Sequence, residues 1–278
     1  MSDLYPRWQK RSIEKLMLER RVLLLSGPRQ SGKTTLAREL DSNQTEYRTL
    51  DDITLREAAE VDPQGFVKRS TATLIIDEVQ RVPSLFPAIK KAVDEDPRNG
   101  QYLLTASTNI QSLPTVRESL AGRITKIRLR PLTHGEILKR NPRFIESAFD
   151  QSFPSSSIHI DRDAVLEIAL KGGFPEPMKL QERSRRRWHI DYIDALLERD
   201  LKEIARIQRN RAIRELVHIL AAWSGKFMDL SAIGSGLSVQ RPTLERYINA
   251  LETLYLVERV PPWNRTDYAR VGKRSKLY

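Results

Sequence analysis

A glycine-containing segment at residues 27–34, GPRQSGKT, constrains the fold of this chain more than any other feature. It follows a short continuous apolar run and precedes a stretch with a helical pattern, which is the context that the pattern G-x-x-x-x-G-K-[ST] requires. In such a loop, successive backbone N–H groups surround phosphate oxygens, and the positive end of the following helix faces the same anion. The segment therefore predicts a phosphate-binding loop after a buried strand.

Two side chains of this loop have predicted chemical roles. Lys33 supplies a positive charge for the β- and γ-phosphates, and Thr34 offers a hydroxyl oxygen to Mg²⁺, which prefers hard oxygen ligands. The predicted nucleotide-binding residues are Gly27, Pro28, Arg29, Gln30, Ser31, Gly32, Lys33, Thr34 and Thr35. The alternative is a chance match in a turn, which the flanking strand and helix argue against.

An acidic pair, Asp77 and Glu78, ends the apolar segment LIIDE. Ligands bind outside the carboxyl ends of strands in open α/β sheets, so Asp77 is predicted to hold Mg²⁺, directly or through water. Glu78 is predicted to be the general base that orients and polarises the attacking water. Alone, the two acids could be only a strand-end turn. Following a phosphate loop, they favour hydrolysis over transfer to a second substrate.

Short apolar segments alternate with helical patterns in the first half of the chain, which predicts a parallel α/β sheet. The predicted strands are residues 22–25, 47–50, 71–78, 101–108 and 124–129, and residues 117–120 are predicted to be helical. We predict an α/β fold with three parts. These are a parallel-sheet P-loop NTPase core at 1–150, a helical region at 158–225 and a winged-helix-like domain with a basic tail at 226–278.

Charge and composition restrict location and partners. The net charge is +11, from 47 basic and 36 acidic residues, which favours a polyanion such as nucleic acid. A nucleotide site or a solvated basic surface would also account for it. The N-terminal segment is polar, without the apolar stretch of a signal peptide, and no apolar run reaches the roughly 18 residues that span a bilayer. These features predict a cytoplasmic protein without a membrane span.

With both motifs in place, the chain resembles the AAA-type prokaryotic P-loop ATPases that carry a C-terminal domain of uncharacterised function. The stretches that carry the resemblance are LSGPRQSGKTTLA, LIIDEVQRVP, YLLTAST, ESLAGR, LRPLTHGEI, GGFPEP, YIDALLERDL and YINALETLYLVERVPPW. In the family the chain continues past the equivalent of KRSKLY, so this sequence is expected to end before that domain is complete. The resemblance implies ATP as the nucleotide.

The resemblance also implies two further site residues. Related chains usually read TGSS where this chain reads TAST, so Ser107 is the expected sensor of the γ-phosphate, with Thr108 and Asn109 as alternatives. A simple strand-end cap is the structural alternative. Arg123 is the expected arginine finger, which reaches the γ-phosphate of a neighbouring subunit and implies a homo-oligomer. A surface arginine paired with a glutamate is the alternative, and Arg117 is a second candidate.

The C-terminal segment resembles a winged helix, with a short helix at 230–233 and a longer one at 239–254. Ser238 is the predicted N-cap of the longer helix. The candidate DNA contacts are Gln240, Arg241, Arg246 and the basic tail at 259–278, which has six basic residues and one acidic residue. Protein docking is the alternative, because this fold also serves that purpose and glutamates lie among the candidates.

Together, these features predict Mg²⁺-dependent binding and hydrolysis of ATP to ADP, which drives a conformational switch in an oligomer. A DNA-binding regulator that is controlled by ATP and has little turnover is the alternative. A nucleotide kinase is the third reading, and transfer of phosphate to a small acceptor would distinguish it.

Overall fold

The computed structural model describes residues 4–41, 43–69, 72–108, 122–152, 161–201, 210–263 and 273–278. The chain divides into two compact units, Met1–Arg185 and Arg186–Tyr278. The segment between the predicted domain limits at 150 and 158 falls largely on residues 153–160, which lie outside the described residues, so these limits stay predictions.

The first unit is built on a five-stranded, fully parallel sheet. Its strands are β1 (Val22–Ser26), β2 (Thr45–Thr49), β3 (Thr73–Asp77), β4 (Tyr102–Ala106) and β5 (Ile124–Arg128). The strand order is β2-β3-β4-β1-β5, which confirms the predicted parallel α/β fold. Because β1 lies between β4 and β5, its carboxyl end stands where the strand order changes direction, and open α/β sheets bind their ligands there.

The helices of the first unit precede, connect or follow these strands. They are α1 (Gln9–Glu19), α2 (Lys33–Glu39), α3 (Ile53–Val61), α4 (Pro63–Phe66), α5 (Leu85–Glu95), α6 (His134–Ile137), α7 (Phe144–Phe149) and α8 (Arg162–Lys171). Single 3₁₀ turns lie at Val79–Arg81 and Pro177–Lys179. In α5, the fourfold spacing of Leu85, Ile89 and Val93 buries all three side chains, as predicted for an amphipathic helix.

The core of this unit has a layer on each face of the sheet. In β1, Val22 and Leu24 pack in the layer that contains α5, whereas Leu23 and Leu25 pack with Ile13 of α1 in the other. All four β1 side chains are buried. A strand that is covered on both faces must be apolar at every position, which explains the unbroken run in the sequence.

The second unit is mainly helical. It contains the end of α9 (Glu182–Ala195), a π-helical turn (Leu196–Asp200), α10 (Asn210–Trp223), α11 (Leu230–Gly234) and α12 (Arg241–Thr253). Two short strands, β6 (Arg259–Val260) and β7 (Lys276–Leu277), pair antiparallel. The core gathers apolar residues of α10, α11 and α12. The assignment of this unit to the winged helices stays a prediction.

The N-cap predicted for the longer helix of this unit is wrong. The helix begins at Arg241, and its N-cap is Gln240, not Ser238. Pro242 lies in the first turn, where its fixed φ suits a helix and its missing N–H has no helical acceptor to lose. The proline therefore decides where α12 starts.

Several predictions fall on residues outside the described ranges: the helix at 117–120, Asn109, Arg117, and Arg265 and Arg270 of the basic tail. Within the described ranges, no helix combines the length and the apolar character that crossing a bilayer requires.

Candidate functional site

The predicted phosphate loop joins the carboxyl end of β1 to the first residue of α2. A side chain at Gly27 would overlap the backbone carbonyl of Leu129, which follows β5, so only glycine allows this approach. Gly32 is the N-cap of α2 and has a φ of 93°, a left-handed conformation that glycine adopts without strain. Two of the predicted residues thus have a backbone reason to be glycine.

Lys33 begins α2 and is buried, with 4% of its surface exposed. Its Nζ donates a hydrogen bond to the Pro28 carbonyl across the loop, at 2.8 Å. Burial lowers the pKa of Lys33 to about 8, against the opposing attraction of Glu78 and Asp77. The ammonium is therefore held inside the curve of the loop, where a bound anion would compensate for its lost hydration.

Asp77 ends β3 and is buried among hydroxyl groups. Thr34 Oγ1 lies 3.0 and 3.1 Å from its two carboxylate oxygens, Thr105 Oγ1 lies 2.5 Å from Oδ1, and the Tyr47 hydroxyl donates to Oδ2 at 2.9 Å. The structure thus brings together Thr34 and Asp77, the two predicted Mg²⁺ ligands. Tyr47 was not predicted. Burial and the Asp77 carboxylate raise its pKa to about 12.

Glu78 follows Asp77 in a left-handed conformation, with a φ of 59°. Its N–H donates to Thr105 Oγ1 at 3.0 Å, and the Ser107 hydroxyl donates to its Oε2 at 2.7 Å. Gln80 Nε2 donates to the same Oε2 and, at 2.9 Å, to Ser107 Oγ. The predicted base and the predicted sensor are therefore in direct contact, and Gln80 completes a cluster that sequence reasoning missed.

Arg123 does not join this cluster in its own chain. It precedes β5, and Ile124 is in register with Val22 at the amino end of β1, on the opposite edge of the sheet from the phosphate loop. Its Nε lies 2.5 Å from Asp94 Oδ1, and this hydrogen bond lowers the pKa of Asp94. The geometry matches the alternative of a surface ion pair. A role in a neighbouring subunit stays a prediction.

The other predicted loop residues differ in exposure. Pro28 and Ser31 are buried, Arg29 is half-buried, and Gln30 and Thr35 are exposed. The buried Ser31 hydroxyl has no hydrogen-bond partner. Three features of the loop fit a polyphosphate: the unpaired Ser31 hydroxyl, the Lys33 ammonium that contacts a backbone carbonyl, and the glycines that allow a close approach of the backbone. The oxygens of Thr34 and Asp77 fit Mg²⁺.

A small pocket of about 110 Å³ adjoins the loop. Its lining includes Gly32 and Thr35, and apolar or aromatic surface from Tyr5, Leu132 and Pro175. Mixed apolar walls beside a phosphate loop suit the base of a nucleotide. The sequence carried no signal for this pocket, because its walls come from segments far apart in the chain.

In the second unit, the predicted DNA contacts lie at the start of α12. Gln240, Arg241 and Arg246 are all exposed. Arg241 pairs with Glu245 at 3.1 Å, and Arg246 stands over the Tyr247 ring at 6.0 Å. Of the basic tail, Arg259 is hydrogen-bonded to Glu252 and Arg274 pairs with Asp229. Neighbouring acids thus offset part of the predicted positive surface.

Comparison with known families gives two matches, one for each part of the chain. Residues 19–138 match the family described as an AAA domain, and this range contains the loop, the acidic pair and Arg123. Residues 162–278 match a domain of unknown function, DUF8612. The chain carries an AAA domain followed by that domain. The prediction of an AAA-type P-loop ATPase with a C-terminal domain of uncharacterised function is confirmed, and at the family level the AAA domain supports nucleotide binding and ATPase activity.

Two curated relatives match over nearly the whole chain. They are the uncharacterized proteins Rv2008c of Mycobacterium tuberculosis and Mb2031c of Mycobacterium bovis, each 29% identical over 257 residues. The match covers 92% of this chain and 52% of each relative. The chain thus spans about half the length of the curated relatives it matches.

Solved structures with a related arrangement include AMPPCP-bound DnaA from Aquifex aeolicus, at 14% identity and a TM-score of 0.38. That match covers 87% of this chain and 85% of the DnaA chain. A RuvB variant from Thermotoga maritima is 20% identical with a TM-score of 0.37, covering 92% and 90%.

Proposed function

We propose that the AAA domain binds ATP with Mg²⁺ and hydrolyses it to ADP. The observation that carries the proposal is the convergence of three groups at the carboxyl edge of the sheet: Lys33 in the loop, the Thr34–Asp77 pair, and Glu78 held by Ser107. Hydrolysis by a P-loop enzyme needs a phosphate cradle, a metal site and a group that orients water. Each has a candidate here.

The loop would bind the phosphates. Backbone N–H groups at the start of α2 point toward an anion with the helix dipole behind them, and Lys33 adds a full positive charge. Thr34 and Asp77 would hold Mg²⁺, and bound Mg²⁺ neutralises charge on the β- and γ-phosphates. Asp77 is already oriented by its hydroxyl donors, so little rearrangement is needed to present its oxygens.

Glu78 would take a proton from the attacking water. Its carboxylate is buried and held by Ser107 and Gln80 at one oxygen, Oε2. A base that is fixed in this way aims its other oxygen at a defined position, which is the geometric requirement for general-base catalysis. Ser107 would sense the γ-phosphate. Because the Ser107 and Glu78 side chains share a hydrogen bond, a change at Ser107 would also change the position of Glu78.

Turnover at this site would act on other parts of the chain or on other subunits. We propose that Arg123 completes the site of a neighbouring subunit. In this role its guanidinium would leave Asp94 and bind a phosphate of the nucleotide in that subunit. ATP and ADP states would then differ in conformation. Limited proteolysis in each state tests this part, and identical cleavage patterns would contradict the switch.

Phosphate release tests the activity directly. We expect wild-type protein to release phosphate from ATP with Mg²⁺ and not with EDTA, and Lys33→Met to release none. Lys15→Met, at an exposed lysine of α1, is the matched control and should match wild type. Release that is unaffected by EDTA or by Lys33→Met would contradict the proposed site.

A second candidate function is an ATP-controlled DNA-binding regulator. The exposure of Gln240, Arg241 and Arg246 at the start of one helix favours it. We expect such a protein to bind duplex DNA with an affinity that falls steeply with salt, because phosphate contacts release counterions. Salt-dependent binding that is lost in Arg246→Ala, together with negligible ATP turnover, would favour this candidate over an ATPase.

A further inference from the structure

Arg7, in the segment before α1, is a buried arginine that contacts the phosphate loop. Its side chain is 6% exposed. Nη1 donates to the Ser31 carbonyl at 3.1 Å, and Nη2 donates to the Arg130 carbonyl, beyond β5, at 2.5 Å. Nε lies 3.3 Å from Glu136 Oε1. One guanidinium therefore joins the N-terminal segment, the phosphate loop and the chain that follows the sheet.

Glu136 makes this burial tolerable. It is 1% exposed and accepts hydrogen bonds from the backbone N–H of Trp8 at 2.8 Å and of Thr133 at 2.9 Å. Its capping box with Thr133 begins α6. A buried ion pair needs compensating hydrogen bonds of this kind, because each charge has lost its water. The Arg7 side chain is thus held in one position by contacts on several sides.

The contact with Ser31 has a chemical consequence at Gly32. The Ser31 carbonyl and the Gly32 N–H belong to one peptide group, and a charged donor on the carbonyl polarises the N–H and strengthens it as a donor. Gly32 is the N-cap of α2, where backbone N–H groups face a phosphate. Arg7 Nη1 is the nearest group to the position that a side chain at Gly32 would occupy, at 3.9 Å.

We propose that Arg7 is a positioning residue for phosphate binding, which orients and polarises the Ser31–Gly32 peptide so that the Gly32 N–H binds a nucleotide phosphate. The inference rests on the proposed function, since it concerns the same loop. A different role is open to Arg7, because it also lines the pocket of about 110 Å³ beside the loop. As part of the pocket wall, Arg7 would contact the base of the nucleotide. The two roles therefore predict that substitution of Arg7 weakens the binding of different ligands.

The test compares ligands with and without a base. Binding of ADP, pyrophosphate and adenosine is measured by competition against a fluorescent ADP analogue for wild type, Arg7→Met and Arg7→Lys. Arg11→Met, at an exposed arginine of α1, is the matched control. We expect Arg7→Met to weaken ADP and pyrophosphate equally, by about tenfold, which corresponds to about 1.4 kcal/mol. Adenosine binding should not change. Arg7→Lys should lose less, because one ammonium keeps the charge beside Glu136 but does not reach both carbonyls.

Two other results for Arg7→Met would overturn the inference. Unchanged pyrophosphate binding with weaker ADP and adenosine would make Arg7 a wall of the base pocket. Equal binding of every ligand by Arg7→Met and wild type would leave it only a structural role. If Arg7→Met does not fold, Arg7→Lys is used instead, provided that its unfolding midpoint equals that of wild type. Weaker pyrophosphate binding by Arg7→Lys then supports the inference, and unchanged binding overturns it. Wild type that binds no ADP would overturn the proposed function, and this inference with it.

Discussion

The pH dependence of nucleotide binding follows from the burial of Lys33. Its pKa is lowered to about 8 in the free protein, chiefly because the ammonium has lost its water. Bound phosphates favour the charged form, so nucleotide binding above this pH must be accompanied by proton uptake. Affinity should therefore be highest below pH 8 and decrease as the pH rises through that value.

The size of the effect follows from the titration of one group. With a pKa of about 8, the protonated fraction of Lys33 is about 0.9 at pH 7 and about 0.1 at pH 9. If only the protonated form binds well, affinity for MgADP falls about tenfold over this range, or about 1.4 kcal/mol. Net proton uptake on binding should be about 0.5 per site at pH 8.

Isothermal titration calorimetry in buffers of different ionisation enthalpy measures both quantities. Lys33→Arg is the control, because its guanidinium stays charged over the whole range, so whatever affinity it retains should not vary between pH 7 and pH 9. Constant wild-type affinity across that range would refute the reasoning, as would the same pH profile in Lys33→Arg.

Three further substitutions test other parts of the site. Tyr47→Phe removes a donor to the buried Asp77 carboxylate and should lower the free energy of unfolding by about 1–2 kcal/mol in a denaturant titration; an unchanged midpoint contradicts the contact. Ser107→Ala should reduce kcat about tenfold with ATP affinity unchanged, because Glu78 loses a charge-assisted hydrogen bond. An equal loss of ATP binding would mean that Ser107 contributes to binding ATP and not to positioning Glu78. Arg123→Ala should bind ATP as wild type does, with a rate of hydrolysis at least about 10³-fold lower. Full turnover in this variant would rule out Arg123 as an arginine finger.

Local sequence pattern was sufficient for much of this fold. The unbroken apolar runs of β1, β3 and β4 reflect strands covered on both faces, and the spacing of Leu85, Ile89 and Val93 reflects one buried helix face. The loop and the acidic pair were found because each is contiguous in sequence. The loop and the acidic pair lie at the same edge of the sheet because the carboxyl ends of parallel strands are all at one edge.

The contacts that complete the site were not predictable in the same way. Tyr47 reaches Asp77 because β2 and β3 pair with Tyr47 opposite Ile75, and nothing within β2 reveals that register. Arg7, which precedes the AAA domain, meets Ser31, 24 residues later in the chain, and Glu136, near the end of that domain. Gln80 is close in sequence, but the left-handed φ of Glu78 turns the chain so that the two side chains meet. Such contacts depend on tertiary structure and leave no periodic signal.

The central claim is that Glu78 is the base of an ATP-hydrolysing site. Steady-state phosphate release from MgATP, measured for wild type, Glu78→Gln and Glu60→Gln, tests it most directly; Glu60 is an exposed glutamate of α3. We predict turnover in wild type and Glu60→Gln, and ATP binding without turnover in Glu78→Gln. Equal turnover in Glu78→Gln and wild type would contradict the claim.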